Sequence, residues 1–417
     1  MNRPRPSKRL AFADVVVTGL GAVSAAGAGV ARNWAAVLAG VSLAQRDPAL
    51  ADVPSDLTCR LPDSVDLAAE IGAQEMRRTD RTTQLGVLAA REAVADAGLD
   101  PRLWDGARVG IVMGTSSGGA TSYEEEYFRY AEDGPEWISP LFGISAPMGL
   151  LAGYLAMVLG SFGPNMVVTT ACAAGPTAIG TGRQLLRADM CDIVLVGGAE
   201  APLTRMSLGS LYQMGAMSTR LDAPERACRP FDAARDGMVP AEGAAVLVLE
   251  RAADCVARGG RARALVAGYG ASADGFHLSA PDPAGTGAER AIRMALADAD
   301  LTTGDIQHVN AHGSSTPLND LTEGRLISRL YESGPAVTST KGVLGHALGA
   351  AGALEAVHTV LALEQGLVPP TANLDELDKE LDIDVVAGRP RELPLQAAMT
   401  HSFGFGGQNA VVAFTRV

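Results

Sequence analysis

Cys172 stands where an apolar run, Met166 to Ala171, gives way to Cys172-Ala173-Ala174-Gly175-Pro176-Thr177-Ala178-Ile179-Gly180. The first stretch reads as a buried strand and the second as a tight turn into a helix of small residues. A thiol at such a junction faces unpaired backbone N–H groups and the positive end of a helix dipole. Both favour the thiolate, so the chemistry expected of Cys172 is that of an activated nucleophile. Taken alone, the motif leaves open a buried structural cysteine, the commonest fate of a free thiol. Cys59, Cys191, Cys228 and Cys255 lack the strand-to-helix setting and read as structural.

Two histidines occupy comparable settings. His312 lies in Asn310-Ala311-His312-Gly313-Ser314-Ser315-Thr316-Pro317, at the end of a short strand and in a turn rich in hydroxyls. Strand ends are where α/β folds place their sites, and these hydroxyls can bond a bound amide or thioester chain. A satisfied loop histidine is the alternative. His346 lies at the glycine-rich helix start Gly345-His346-Ala347-Leu348-Gly349, where small residues allow close helix packing. Lys341 and Glu355 bracket this otherwise apolar segment, so each needs a buried partner and they can be each other's; a solvent-exposed pair is the other possibility. A fourth element, His401-Ser402-Phe403-Gly404-Phe405-Gly406-Gly407-Gln408-Asn409, sets three glycines around two phenylalanines. Backbone N–H groups there can converge on a ligand while a ring covers the site. A phosphate loop fits poorly, because no Lys-Ser/Thr follows.

The elements that must position these groups alternate strand and helix. Strand-like runs at Val109–Met113, Met166–Thr169, Ile193–Gly197, Ala245–Leu249, Val309–Ala311 and Ala410–Phe414 are separated by Ala-rich helical stretches, the pattern of an α/β fold with helices on both sheet faces. Residues 92–99 resemble residues 294–301, and the helix start at Cys172 is answered by one at His346, which predicts two similar α/β halves. Val15, Val16 and Val17 read as a strand entering a glycine turn at Thr18-Gly19-Leu20-Gly21. That reading excludes a signal peptide behind Arg3, Arg5, Lys8 and Arg9, since the rest of Val15–Ala31 is Ala and Gly rather than a leucine-rich core.

No segment has the length and uniform apolarity of a spanning helix, so no membrane association and a cytoplasmic location are expected. Five cysteines without paired spacing indicate free thiols and neither a disulfide framework nor a metal site. A net charge of −13 argues against nucleic acid as a partner.

Together these motifs closely resemble the β-ketoacyl-acyl carrier protein synthases, particularly the type II elongating enzymes and their relatives in discrete-subunit polyketide pathways. The likeness covers nearly the whole chain: Val-Val-Thr-Gly-Leu-Gly, Thr-Ala-Cys, Val-Gly-Gly-Ala-Glu, Arg-Pro-Phe-Asp, Asn-Ala-His-Gly, Ser-Thr-Lys, Gly-His-x-Leu-Gly-Ala-Ala-Gly and Ser-Phe-Gly-Phe-Gly-Gly, in that order. Independent accidents would not reproduce four site motifs in sequence. The resemblance implies a thiolase-like fold of two βαβαβαββ halves in a five-layered αβαβα core, with residues 1–260 carrying the cysteine and 261–417 the histidines. It implies Cys172 as the nucleophile, His312 and His346 as the decarboxylation pair, and Lys341 with Glu355 as a supporting ion pair. Phe405 matches the gating aromatic, whose backbone N–H joins that of Cys172 in an oxyanion hole.

Further matches place Ser117, Ser314, Thr316, Phe403, Gly404, Gly406 and Gly407 at the substrate, with Ser117 at the acyl pocket floor. Arg77 and Arg78 match a basic pair on the helix that docks the acidic acyl carrier protein. The reaction implied is decarboxylative condensation of malonyl-carrier protein with an acyl group on Cys172, without metal or organic cofactor. The implied assembly is a homodimer or a heterodimer with a chain-length-factor-like subunit. Several positions depart from the usual pattern: His401 stands where Asn is common, Ser314 where Thr is, Ala241 where Gly often precedes Glu242, and Gln408 where Thr or His is frequent. These leave the acyl substrate open and lean toward a specialised polyketide or polyene pathway over fatty acid synthesis. A non-elongating chain-length-factor subunit and a starter-type enzyme using coenzyme A thioesters are the competing readings; Cys172 argues against the first and His346 against the second.

Overall fold

The first half of the chain runs β1 (Val15–Ser24), α1 (Arg81–Asp96), β2 (Val109–Gly114), α2 (Leu150–Leu159), β3 (Asn165–Val168), α3 (Ala174–Arg187), β4 (Ile193–Glu200) and β5 (Gly243–Arg251). The second repeats the order with β6 (Ala264–Ala273), α4 (Thr286–Ala299), β7 (His308–Asn310), α5 (Pro317–Leu330), β8 (Ala336–Thr338), α6 (Leu348–Gln365), β9 (Ala397–Gly404) and β10 (Gln408–Thr415). Short helices and two-residue strands fill the connections. These elements come from a computed structural model that describes residues 14–417, so the basic flank Arg3 to Arg9 lies outside the described residues.

The expected repetition extends to the pairing. In the first half the strands lie in the order β3-β2-β4-β5-β1, and in the second β8-β7-β9-β10-β6. In both, the first three are parallel and the last two join antiparallel. The two arrays meet where β1 pairs with β6 over Val16–Leu265 and Val17–Ala264.

β1 is buried throughout, which suits its stiff valines. Gly19 and Gly21 do not turn the chain, contrary to the expectation from sequence. They lie inside the strand and admit α1, which crosses so closely that a Cβ on Gly19 would sit 2.1 Å from Ala93 O. The second half has the same device: a Cβ on Gly268 of β6 would sit 2.2 Å from Ala295 O of α4. Asp96 of α1 accepts the Leu20 N–H at 2.8 Å, and Asp298 of α4 accepts the Tyr269 N–H at 3.0 Å. The sequence similarity of the two helices thus corresponds to one packing solution used twice.

Three apolar layers separate the sheets from solvent and from each other. α1 and α2 cover one outer face through Leu85, Val94, Leu151 and Leu155, while α4 and α5 cover the other through Ile292, Leu296, Leu326 and Ile327. α3 and α6 fill the middle against both sheets, with Ile179, Val357 and Val360 in the central core. This is the αβαβα stack. α6 is buried from Leu348 to Leu363, which explains a helix apolar on all sides. Among the described residues no helix is long and apolar enough to cross a membrane.

Candidate active site

Cys172 occupies a single 3-10 turn, Ala171–Ala173, between β3 and α3. Ala171 holds a left-handed φ of 48°, a conformation that costs an alanine about 1 kcal/mol and turns the chain sharply. The turn presents the thiol, 5% exposed as a residue, to a cavity of about 250 Å³. The helix-end setting predicts a thiol poised toward thiolate, and the structure reverses that balance. Burial pushes the thiol up to about 11, while Lys341 and hydrogen bonds from the backbone N–H groups of Phe405 and Cys172 itself pull the other way. Desolvation wins because the sulfur is almost wholly buried, whereas a helix end supplies only a fraction of a charge. The resting nucleophile is therefore a neutral thiol that needs a base.

Two imidazoles stand beside it. His312 stands just beyond β7, and His346 precedes α6, so His346 and Cys172 take matching places before the two central helices. The His346 segment is clamped by its N–H to Val239 O at 2.8 Å and by Ala241 N–H to its carbonyl at 3.0 Å. The sulfur of Cys172 and one ring nitrogen from each histidine lie within 4.8 Å of one another. Among the described residues this is also the set close enough to share a soft metal ion, as any thiol and two imidazoles brought to one point would be. Burial, reinforced by the charge of Lys341, pushes both imidazoles well below the usual histidine range, so both are neutral.

Lys341 and Glu355 are each 1% exposed and form an ion pair, which removes the solvent-exposed alternative. Burial raises the Glu355 carboxyl and the neighbouring ammonium works against it. The Lys341 Nζ also donates to His312 O at 2.6 Å and lies 3.4 Å from His312 Nδ1. An ammonium can only donate, so Nδ1 accepts and the ring proton resides on Nε2.

β9 closes the site. A Cβ on Gly404 would meet Cys172 N and Thr170 O at 3.0 Å each, so only glycine lets this strand approach the cysteine turn without displacing it. Phe405 follows, and its side chain, with Phe403, forms part of the cavity wall. Ser314 and Thr316 stand elsewhere on that wall and share a hydroxyl hydrogen bond of 2.8 Å. Cys172, His312, His346, Ser314, Thr316, Phe403, Gly404 and Phe405 therefore converge on one cavity. Ser117, Gly406 and Gly407 are not among the residues lining it. The Ser117 N–H is bound to the Glu200 carboxylate at 2.9 Å, and the Gly406 N–H to Leu278 O at 2.7 Å. Arg77 and Arg78 are exposed at the end of the short helix Ala73–Arg78.

Two carboxylates with no assigned place in the sequence reading organise this geometry. Glu323 of α5 accepts the N–H groups of His312 and Gly313, both at 2.8 Å, and so holds the histidine turn. Glu200, at the end of β4, accepts from Ser116 N at 2.6 Å and Gly349 N at 3.0 Å, tying the loop after β2 to the start of α6. Burial pushes its carboxyl up to about 7. Glu200 ends the Val-Gly-Gly-Ala-Glu motif, which was a usable signal. Glu323 resembles any helix acid in sequence and carried none.

Comparison with known proteins gives the same picture. Residues 13–255 match the family described as beta-ketoacyl synthase, N-terminal domain, and residues 263–375 match its C-terminal domain. The chain is 37% identical to 3-oxoacyl-[acyl-carrier-protein] synthase 2 of Staphylococcus aureus (strain COL) over 414 residues, covering 96% of this chain and 98% of that protein. It superposes on the ishigamide ketosynthase/chain length factor with a TM-score of 0.91 at 34% identity, covering 98% of this chain and 100% of that one. It also superposes on one chain of the structure described as a type II PKS acyl-carrier protein in complex with its ketosynthase bound to the hexaketide, with a TM-score of 0.89 at 31% identity over 97% of this chain and 99% of that one.

Proposed function

This chain belongs to the beta-ketoacyl synthase family and is a condensing ketosynthase of the acyltransferase class, and from that premise we propose that Cys172 carries the acyl chain while His312 and His346 drive decarboxylation. The observation that carries the proposal is the meeting of one thiol and two neutral imidazoles within 4.8 Å, with Cys172 and His346 before the matching helices of the two halves and His312 beyond the end of β7. The halves divide near residue 260, the first supplying the thiol and the second both rings.

In the first half-reaction the neutral imidazole of His346 takes the Cys172 proton as sulfur attacks the acyl thioester carbonyl. The tetrahedral oxyanion is met by the N–H groups of Cys172 and Phe405, which point at the sulfur in the resting site. Collapse expels the carrier thiol, which receives the proton, and leaves acyl-Cys172. In the second, malonyl-carrier protein enters along Ser314 and Thr316. Its C–CO₂ bond breaks, the electron pair passes into the thioester enolate, and the Nε2–H of His312 donates to the enolate oxygen with His346 beside it. The carbanion attacks acyl-Cys172, the C–S bond breaks with its electron pair left on sulfur, and the thiolate takes up one proton from water. Lys341 keeps this order of events possible by fixing the His312 tautomer from behind.

The partner is an acyl carrier protein, docked through Arg77 and Arg78, whose exposed charges offset the net −13 locally. β3 ends the sheet with a half-buried edge, which suits pairing with a second copy or with a chain-length-factor-like subunit in the cytoplasm. Ser314, Gln408 and His401 favour a polyketide or polyene substrate over a fatty acid one. Mass spectrometry of the protein after exposure to acyl-carrier protein tests the reading: the acyl mass should reside on the peptide containing Cys172, and its absence would leave a non-elongating subunit as the better account.

A further inference from the structure

We propose that His401 is a positioning residue for His312, acting through Glu323. This rests on the reading of His312 as a decarboxylation residue. Along β9 the side chains alternate, and His401 falls with Met399 and Phe403 on the face covered by α4 and α5. It is fully buried there. Its Nδ1 lies 3.3 Å from Glu323 Oε1, and its Nε2 lies 3.1 Å from the Tyr331 hydroxyl.

Hydrogen-bond chemistry fixes one end of this chain. A carboxylate can only accept, so Nδ1 carries a proton toward Glu323, and Nε2 meets the Tyr331 hydroxyl. The same hydroxyl lies 3.3 Å from Met399 Sδ. The result is Tyr331 to His401 to Glu323, and Glu323 in turn holds the N–H groups of His312 and Gly313. The residues of α4 that face this layer, Ala288, Ala291, Ile292 and Ala295, are apolar, and the nearest further acid on α5 is Asp320, whose own carboxylate serves Phe231 N and Ser315 N. His401 thus meets the same Glu323 oxygen, Oε1, that accepts the His312 N–H, while Oε2 serves Gly313. Its ring also packs 5.6 Å from Phe403, which stands 6.2 Å from the His312 ring.

A buried carboxylate holding a catalytic turn must keep one rotamer, and a third fixed contact supplies that restraint. An asparagine, common at this position in similar synthases, reaches one of the two neighbours. The imidazole spans both and ties the turn to the far end of α5.

Isosteres separate positioning from packing. In His401→Asn the side-chain amide sits near the Nδ1 position and still reaches Glu323, whereas in His401→Gln it sits near Nε2 and reaches only Tyr331. CO₂ release from malonyl-carrier protein and acyl transfer to Cys172 are measured separately for both, alongside His312→Ala. His401→Gln should lower kcat for CO₂ release about 10-fold with KM and acylation unchanged, and His401→Asn should stay within about threefold of wild type. Tyr331→Phe, which deletes no ring, should lose about threefold in the same step. Equal losses in Asn and Gln variants, or wild-type CO₂ release in Gln and Phe variants beside an inactive His312→Ala, would overturn the positioning role alone. CO₂ release retained by His312→Ala would instead overturn the reading beneath it.

Discussion

The rings of His312 and His346 meet edge to face, with centroids 5.2 Å apart and planes inclined by 78°. Two imidazoles so close cannot both be charged, and burial with the Lys341 charge keeps both neutral. Each offers a neutral N–H donor where enolate charge develops. Replacing either by alanine should slow condensation at least about 100-fold while acyl-Cys172 still forms. Because both rings titrate well below the usual range, lowering the pH from 8 to 6 should not switch either off. Equal condensation rates in wild type and both variants would refute the assignment.

Cys172 gives a distinct pH signature. With its thiol pushed up to about 11, alkylation by iodoacetamide should rise about tenfold for each pH unit between 7 and 10. A plateau near pH 8 would mean that the helix end, rather than burial, controls the sulfur. Cys172→Ala should show no acyl adduct and no alkylation at the active site, whereas Cys255→Ala should keep both.

Lys341 and Glu355 are predicted to matter for folding as much as for chemistry. Lys341→Ala strands a buried carboxylate and should cost about 3–5 kcal/mol, whereas Lys341→Met with Glu355→Leu should recover most of that loss. Urea unfolding of the two singles and the double measures the coupling; additive losses would show that the pair is not one unit.

His358 sits in the central layer, stacked on Trp34, with neither ring nitrogen hydrogen-bonded. Burial pushes it down to about 3, and His308 down to about 4. Their folded-state values lie below the unfolded value of about 6.5, so stability present above that pH is lost as pH falls through it. The two together should cost about 3 kcal/mol between pH 8 and pH 5.5. His358→Leu should raise Tm more at pH 5.5 than at pH 8; a pH-independent change would contradict the linkage.

Charge reversal at Arg77 and Arg78 should weaken carrier-protein binding and flatten its salt dependence. A small thioester mimic should still acylate Cys172 at the wild-type rate. Unchanged carrier affinity across a salt titration would move the docking surface elsewhere.

Residues alone revealed the thiol, the two histidines and the doubled α/β plan, because strand ends, glycine turns and helix starts are local features written in neighbouring side chains. Lys341 and Glu355 could be paired on paper because unmatched charges in an apolar segment demand partners. Gly19 and Gly21 read locally as a turn because a glycine signals only the lack of a Cβ, and the helix that needs the space comes some seventy residues later. The positive φ of Ala171 left no trace, since alanine does not advertise that conformation. The state of the Cys172 thiol also lay beyond reach: the helix end is local, but the desolvation that overrides it is produced by packing both halves around α3 and α6. The anchoring of the Ser117 backbone by Glu200, eighty-three residues along the chain, was equally invisible. Glu323 and His401 meet across 78 residues, and only the stacking of α5 on β9 brings an ordinary helix acid and a strand histidine to the back of the His312 turn. Tertiary packing decided these contacts because the energies that set them, desolvation and buried hydrogen bonding, exist only once distant segments have excluded water together.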